Sequence, residues 1–320
     1  MTLLMITRKV DKNDSNAGFV YYWLKSISRQ VDRLIVICQE LGDYSALPAN
    51  IELNSLGKEF GNSKFKQLIR FQNLLLGSLP QVDGVFVHMI PIYSILAGIW
   101  CKLYNKKLIL WYTHKSVDWR LGLANLFVSE FATASHISFR LKTRKKVNVL
   151  GHGIDIRRFS PAEKAQLSDK QADKKIFKLI SIGRISPTKD YESMVKAVYG
   201  LSQQGIANLK LSILGDVALK KDVGYFESLK QMVDKMNLQS KVEFLGAVPN
   251  YLVPRYLQQS DLFINLSGTG SLDKAILEAM ACQCMVLTSN VAFRAILPAD
   301  LMVSRDQPDM LVEKIKYLIN

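Results

Sequence analysis

Cysteine is scarce in this chain. There are four in 320 residues, Cys38, Cys101, Cys282 and Cys284, each in apolar surroundings. That excludes a disulfide framework and makes the reduced cytosol the default compartment. Cys282-Gln283-Cys284 has the spacing of half a metal site, but no Cys or His pair stands near it to complete one. Buried small hydrophobes are the better reading, and no metal is expected. Long apolar runs are also missing. A membrane helix needs about 20 such residues, whereas Ile90 to Trp100 is shorter and Lys102 follows. Met1 to Ile6 is apolar but stops at Thr7-Arg8-Lys9, too soon for a secretory h-region. No internal repeat is evident.

What the chain does have is apolar bulk and positive charge. Hydrophobic residues make up 48% and the mean hydropathy is +0.07, which suits about two domains, each with a full core. The formal charge is +14. Residues 1–155 hold 20 Lys and Arg against 11 Asp and Glu, and residues 101–150 alone hold 10 against 2. A basic half that also carries aromatics suits an anionic surface or acceptor; plain solubility explains the same charge. Nucleic acid is not expected, because no nucleic-acid motif accompanies it.

Apolar strand-like runs alternate with helical patterns throughout. In the first half the strands are Leu3 to Thr7, Leu34 to Cys38, Gly84 to His88 and Lys107 to Tyr112, with helices over 19–30, 64–79 and 92–104. In the second half the strands are 178–182, 210–214, 241–245, 262–265 and 285–288. Its helices are 191–203, 224–236, 253–259 and 273–281. Uniformly apolar strands separated by helices predict parallel sheets covered on both faces. The fold class is therefore α/β, with two doubly wound, Rossmann-like domains facing a cleft and ligands at the C-terminal strand ends. The domains are expected at 1–160 and 161–320, the join lying in the polar, lysine-rich stretch before Lys175.

The most informative stretch is Gly268-Thr269-Gly270-Ser271-Leu272, opening the apolar helix over 273–281 that carries Glu278. A strand, a small-residue turn and a helix N-terminus in that order present free N–H groups and the helix dipole to an anion. Leu277-Glu278-Ala279-Met280-Ala281-Cys282 followed by Met285 to Ser289 resembles the donor-site signature of the GT-B glycosyltransferases, above all their large retaining family (family four, glycosyl transferases group 1). Three further segments agree in order: His152-Gly153-Ile154-Asp155…Phe159-Ser160-Pro161, Gly183-Arg184…Lys189-Asp190, and Val242 to Gly246 leading to Ser260-Asp261-Leu262-Phe263.

The resemblance implies transfer of a hexose from a nucleoside diphosphate sugar to a lipid-linked or saccharide acceptor, with retention and no cofactor beyond the donor substrate. Such transfer needs the leaving diphosphate neutralised, the ribose held and the charge at the anomeric carbon stabilised. Arg184 and Lys189 fit the first task, on the glycine-bounded loop from Gly183, assisted by backbone N–H groups of Gly270, Ser271 and Leu272. Lys274 either contacts phosphate or is solvated. By resemblance, Glu278 holds the ribose diol; alternatively, a backbone amide satisfies it.

The family's second Glu, eight residues earlier, is Gly270 here, and Asp273 either compensates or caps the helix. His114 and, less favoured, His88 end apolar strands of the first domain and are candidates for the sugar and acceptor region. Gly18 fits a loop–helix junction facing the donor phosphates, and His152 fits a structural hinge. The family's final helix, which crosses back to the first domain, is expected to be missing or merged with the one ending at Asn320.

Two rivals stay open: a non-catalytic nucleotide-sugar binder and a GT-B nucleotide-sugar epimerase. The basic amphipathic stretch Lys64 to Leu76, with residues 99–107 and 115–127, suits an anionic leaflet, which implies a cytoplasmic enzyme peripheral to the inner face of a membrane.

Overall fold

The computed structural model describes residues 1–162 and 176–319. The stretch 163–175, where part of the expected domain join lies, is outside the described residues. By backbone contact the chain divides into Met1–His152 with Pro249–Tyr251, and Gly153–Val248 with Leu252–Asn320.

The first unit contains β1 (Thr2–Val10), α1 (Gly18–Ile27), β2 (Arg33–Leu41), β3 (Ile51–Ser55), α2 (Lys64–Ser78), β4 (Gly84–His88), α3 (Pro91–Leu103), β5 (Lys107–Trp111), α4 (Trp119–Phe127), β6 (Glu130–Thr133) and β7 (Val147–Val149). Its sheet runs β3-β2-β1-β4-β5-β6-β7, every pair parallel. The order reverses between β1 and β4, which makes that junction the switch point. Right-handed crossovers then put helices on both faces. Val20 and Leu24 of α1 pack with Met5, Leu34 and Val36 on one face. Phe71 and Leu75 of α2, Ala97 and Cys101 of α3 and Leu121 and Ala124 of α4 pack with Ile6, Val87 and Leu110 on the other.

The second unit contains β8 (Phe177–Ile182), α5 (Tyr191–Gln203), β9 (Leu209–Leu214), α6 (Val223–Lys235), β10 (Val242–Gly246), α7 (Val253–Gln258), β11 (Leu262–Asn265), α8 (Lys274–Ala281), β12 (Met285–Thr288) and α9 (Pro308–Ile319). Its sheet runs β10-β9-β8-β11-β12, again all parallel, with its switch between β8 and β11. Leu179, Leu211, Ile213 and Ile264 form its centre with Val195, Val198, Leu229 and Ile315. The last helix, α9, packs on α5, where a Cβ on Gly200 would lie 3.0 Å from Val312 Cγ2.

Three strands and one helix, α4, go beyond the sequence reading, and α9 is the helix expected near Asn320. β3 is a half-exposed edge strand (Glu52 exposed, Asn54 partly so), so it lacks the apolar run of its neighbours. β6 and β7 are too short to stand out. In α4 and α9 the apolar stripe is interrupted by Gly122 and by paired lysines. All four cysteines are buried and free, and burial pushes their thiols up to about 12, so they pack as small neutral hydrophobes.

Candidate donor site at the switch of the second sheet

The loops leaving β8 and β11 meet at the switch point of the second sheet. Gly183-Arg184 follow directly on β8. The backbone of Gly215, after β9, lies so close to Gly183 that a Cβ there would sit 1.9 Å from the Gly183 carbonyl oxygen. Tyr191, wholly buried, donates its hydroxyl to that same oxygen at 2.9 Å. This packing fixes where the next residue, Arg184, leaves the sheet. Arg184 is exposed, with no ion-pair partner among the described residues.

Lys189 folds back over Gly183: a Cβ on the glycine would meet Lys189 Cε at 3.0 Å. Its ammonium is 2.7 Å from Asp273 Oδ2. Asp273 is the N-cap of α8, with Oδ1 accepting from the Ala275 N–H at 3.2 Å, while Oδ2 also accepts from Asn265 Nδ2 at 3.1 Å. Burial pushes the Asp273 carboxyl up, but Lys189 and these hydrogen bonds outweigh it and hold it below the usual range. Of the two sequence readings of Asp273, the structure has the helix cap, and the same side chain also pairs with the lysine. Asp190 closes the β8 loop. It sits in the left-handed region at φ 51°, caps α5 through the Ser193 N–H and accepts from the Asp306 N–H at 3.0 Å.

The glycine turn before α8 is held from outside. Gly270 is buried at φ 63°, a conformation that disfavours any side chain. Asn290, fully buried, donates to the Ser271 carbonyl at 2.8 Å. Arg305 donates to the Pro187 carbonyl at 3.1 Å, and its guanidinium sits where a Cβ on Gly268 would come within 2.4 Å of Nη1. The Gly268 N–H donates to the Thr188 carbonyl at 3.0 Å. The two loops are therefore stitched together by backbone, Asn290 and Arg305.

One turn into α8, Glu278 is 5% exposed, and its Oε1 lies 3.3 Å from the Lys274 ammonium. Burial pushes the Glu278 carboxyl up, more than Lys274 pulls it down, and the Asp273 charge adds to the upward push. Burial likewise pushes Lys274 down. Lys274 is buried beside Glu278 rather than solvated.

In the first unit Gly18 is the buried first residue of α1, where a Cβ would lie 3.3 Å from the Lys12 carbonyl. The adjoining N–H groups of Asn16 and Ala17 are taken by the Asp14 carboxylate, at 2.8 and 2.6 Å, which Lys9 holds at 2.8 Å. His88 ends β4 beside the switch of the first sheet, buried, with Nδ1 hydrogen-bonded to Thr7 Oγ1 at 3.1 Å. Its ring lies 5.2 Å from that of Trp23, which packs 5.4 Å from Trp111. His152 joins the same group, 6.0 Å from Trp111. His114 lies past the end of β5, exposed, with its ring 6.4 Å from that of Tyr112. Among the described residues no group of three or more His, Cys, Asp or Glu could hold a metal, and no helix is long and apolar enough to cross a membrane.

Residues 163–320 match the family model described as "Glycosyl transferases group 1". Over this half the chain is similar to that glycosyltransferase family. The likeness of fold extends further: Anabaena HepE, solved with UDP and glucose, matches at TM-score 0.78 and 17% identity over 99% of this chain and 89% of that one. The fold is GT-B, two Rossmann-like α/β units. Among curated relatives, the GPI3 subunit of phosphatidylinositol N-acetylglucosaminyltransferase from Saccharomyces cerevisiae is 21% identical over 236 residues, 73% of this chain and 48% of that protein. The UDP-Gal:alpha-D-GlcNAc-diphosphoundecaprenol alpha-1,3-galactosyltransferase of Escherichia coli is 29% identical over 150 residues, 46% of this chain and 37% of that protein. The chain spans half or less of the length of these relatives.

Sequence reasoning passed over Tyr191, Gly215, Asn265, Asn290 and Arg305. Gly215 and the two asparagines each follow or end a strand, and a buried-strand terminus carrying Asn or Gly was the available signal. Nothing local marks Arg305, which comes to the site only through the fold.

Proposed function

We propose that this chain is a glycosyltransferase that transfers a hexose from a nucleoside diphosphate sugar to a lipid-linked or saccharide acceptor. The second unit would bind the donor and the first the acceptor. The observation that carries the reading is the cationic loop Gly183 to Lys189 set against the N-terminus of α8 at a sheet switch point, with a buried carboxylate one turn further on. Arg184, exposed, grips the diphosphate with its planar fork, and Lys189 adds a point charge held in place by Asp273. Gly183 lets the backbone approach, and the N–H groups of Gly270, Ser271 and Leu272 complete the anion cradle. Glu278 receives the ribose hydroxyls, whose hydrogen bonds stabilise its costly buried charge.

In this reading the acceptor lies on the first unit, where His114 is exposed past β5 and the Trp23–Trp111 pair beside His88 gives an acceptor sugar aromatic faces. Retention follows if the acceptor attacks from the leaving-group side, its proton passing to the departing phosphate. That route asks no side chain to be the base. The donor is substrate, and the scheme calls on no further cofactor.

That HepE was solved with UDP makes uridine donors the first to try. A thermal-shift screen with UDP-, GDP- and ADP-sugars tests the reading, because a ligand of the folded state raises the melting temperature. A shift for one base, lost in Arg184→Ala, is expected; no shift with any donor overturns it. One observation favours a second reading, a binder without turnover: Gly270 holds no carboxylate, and its left-handed backbone resists one. Donor hydrolysis or transfer on an acceptor panel separates the two.

A further inference from the structure

The loop that carries Lys189 is held from a place that no sequence motif marks. After β12 the chain comes back alongside that strand. Met302 bridges Thr288, and the Val303 N–H donates to the Thr288 carbonyl at 3.0 Å. It then turns at Asp306, φ 55°, and enters α9. The corner Arg305-Asp306 lands on the β8 loop. Arg305 Nη2 donates to the Pro187 carbonyl at 3.1 Å, and the Asp306 N–H donates to the Asp190 carboxylate at 3.0 Å. Between these two, the Thr188 carbonyl accepts from the Gly268 N–H at 3.0 Å. Contacts from outside the loop thus fall on Pro187, Thr188 and Asp190, and Lys189 lies among them.

Stability alone does not account for this arginine. Its Nε is buried with no hydrogen-bond partner among the described residues, which opposes folding. An apolar side chain would fill the same space without that cost. What the guanidinium does supply is a charge-assisted bond at Pro187 and a flat body against Gly268. The three atoms nearest to a Cβ built on Gly268 all belong to Arg305: Nη1 at 2.4 Å, Cζ at 3.1 Å and Nε at 3.5 Å. One planar group therefore sets the spacing between the Lys189 loop and the turn that opens α8. We infer that Arg305 is a positioning residue for the donor diphosphate. It acts through the Pro187 backbone to hold Lys189 and touches no substrate itself. The inference rests on the donor-binding reading proposed above.

A double-mutant cycle on the full chain tests it, read by calorimetry with UDP, GDP and ADP titrated in turn. Arg305→Ala frees the loop, so binding has to order it. Affinity for the diphosphate that the wild type takes should fall about tenfold, the effect of losing one charge-assisted hydrogen bond. Gly268→Ala leaves every charge in place but pushes the guanidinium off Pro187, and it should weaken binding similarly. Once Arg305→Ala is made, Gly268→Ala has nothing to push, so the double variant should bind no more weakly than Arg305→Ala alone. Arg305→Lys can still donate to Pro187 and should recover part of the loss. Lys314→Gln removes the same charge from α9 and should change nothing. Hydrogen exchange on the unliganded chain gives a readout that needs no donor. The Lys189 and Asp190 amides, bonded to the Ser186 and Pro187 carbonyls, should exchange faster in Arg305→Ala, and those of β8 no faster. Wild-type affinity in Arg305→Ala, penalties that add in the double variant, or unchanged exchange at Lys189 and Asp190 would each overturn the inference. A wild type that takes none of the three diphosphates overturns the donor reading instead, and the exchange result then decides whether the corner holds the loop.

Discussion

The ammonium of Lys189 lies 2.7 Å from the carboxylate of Asp273, eighty-four positions later in the chain. The pair joins the β8 loop to the α8 N-terminus, and it places a negative charge where an incoming diphosphate would bring more. Asp273→Asn keeps the cap on Ala275 but removes that charge. The unliganded variant should melt lower, because Lys189 is left half-buried without its partner. Its melting temperature should rise further than the wild type's on adding nucleoside diphosphate, and binding calorimetry should show affinity about tenfold tighter. Weaker binding would mean that Asp273 aims Lys189 rather than competing for it.

The same carboxyl makes stability depend on acid. Its folded-state pKa is depressed, so its contribution is full above the ordinary aspartate value of 3.8 and is lost as pH falls through the lower folded value. The gap in melting temperature between wild type and Asp273→Asn should therefore close on acidification below that range.

Glu278 and Lys274 behave oppositely. Lys274→Met leaves a buried carboxylate alone and should cost about 3 kcal/mol at neutral pH, measured by urea denaturation. Lys274→Met with Glu278→Gln removes both charges and should recover most of that loss. For Glu278, burial raises the folded pKa, so the penalty in the single variant is absent at acid pH. It grows as pH rises above the ordinary value of 4.5 and levels off above the folded pKa. A pH-independent penalty would show that packing, not charge, is responsible.

Gly215→Ala should be among the most damaging small substitutions in the second unit. The new Cβ would lie 1.9 Å from the Gly183 carbonyl oxygen, so backbone must move, at a cost of about 3 kcal/mol. Because Gly183 sets the exit of Arg184, nucleotide affinity should fall with stability; a variant that melts normally contradicts this account of the loop.

Gly270→Glu would restore the acid that the family resemblance leads one to expect. At φ 63° a side chain costs about 1–2 kcal/mol, so the variant should be less stable by urea denaturation.

The α/β class, most strands and most helices were legible in the chain because parallel strands buried on both faces must be apolar throughout, and that pattern is local. Gly183, Arg184, Lys189, Asp273 and Glu278 were legible as candidates for the same reason: each sits within a few residues of a strand end or a helix start. What the sequence could not decide was pairing. Asp273 against Lys189, Gly215 against the Gly183 carbonyl, and Arg305 behind Gly268 all join segments whose separation in the chain says nothing of their distance in space. Arg305 is the plainest case. That it is an arginine is a fact of composition. That its guanidinium lies against Pro187 and Gly268 is decided by the return of the chain beside β12 and its turn into α9.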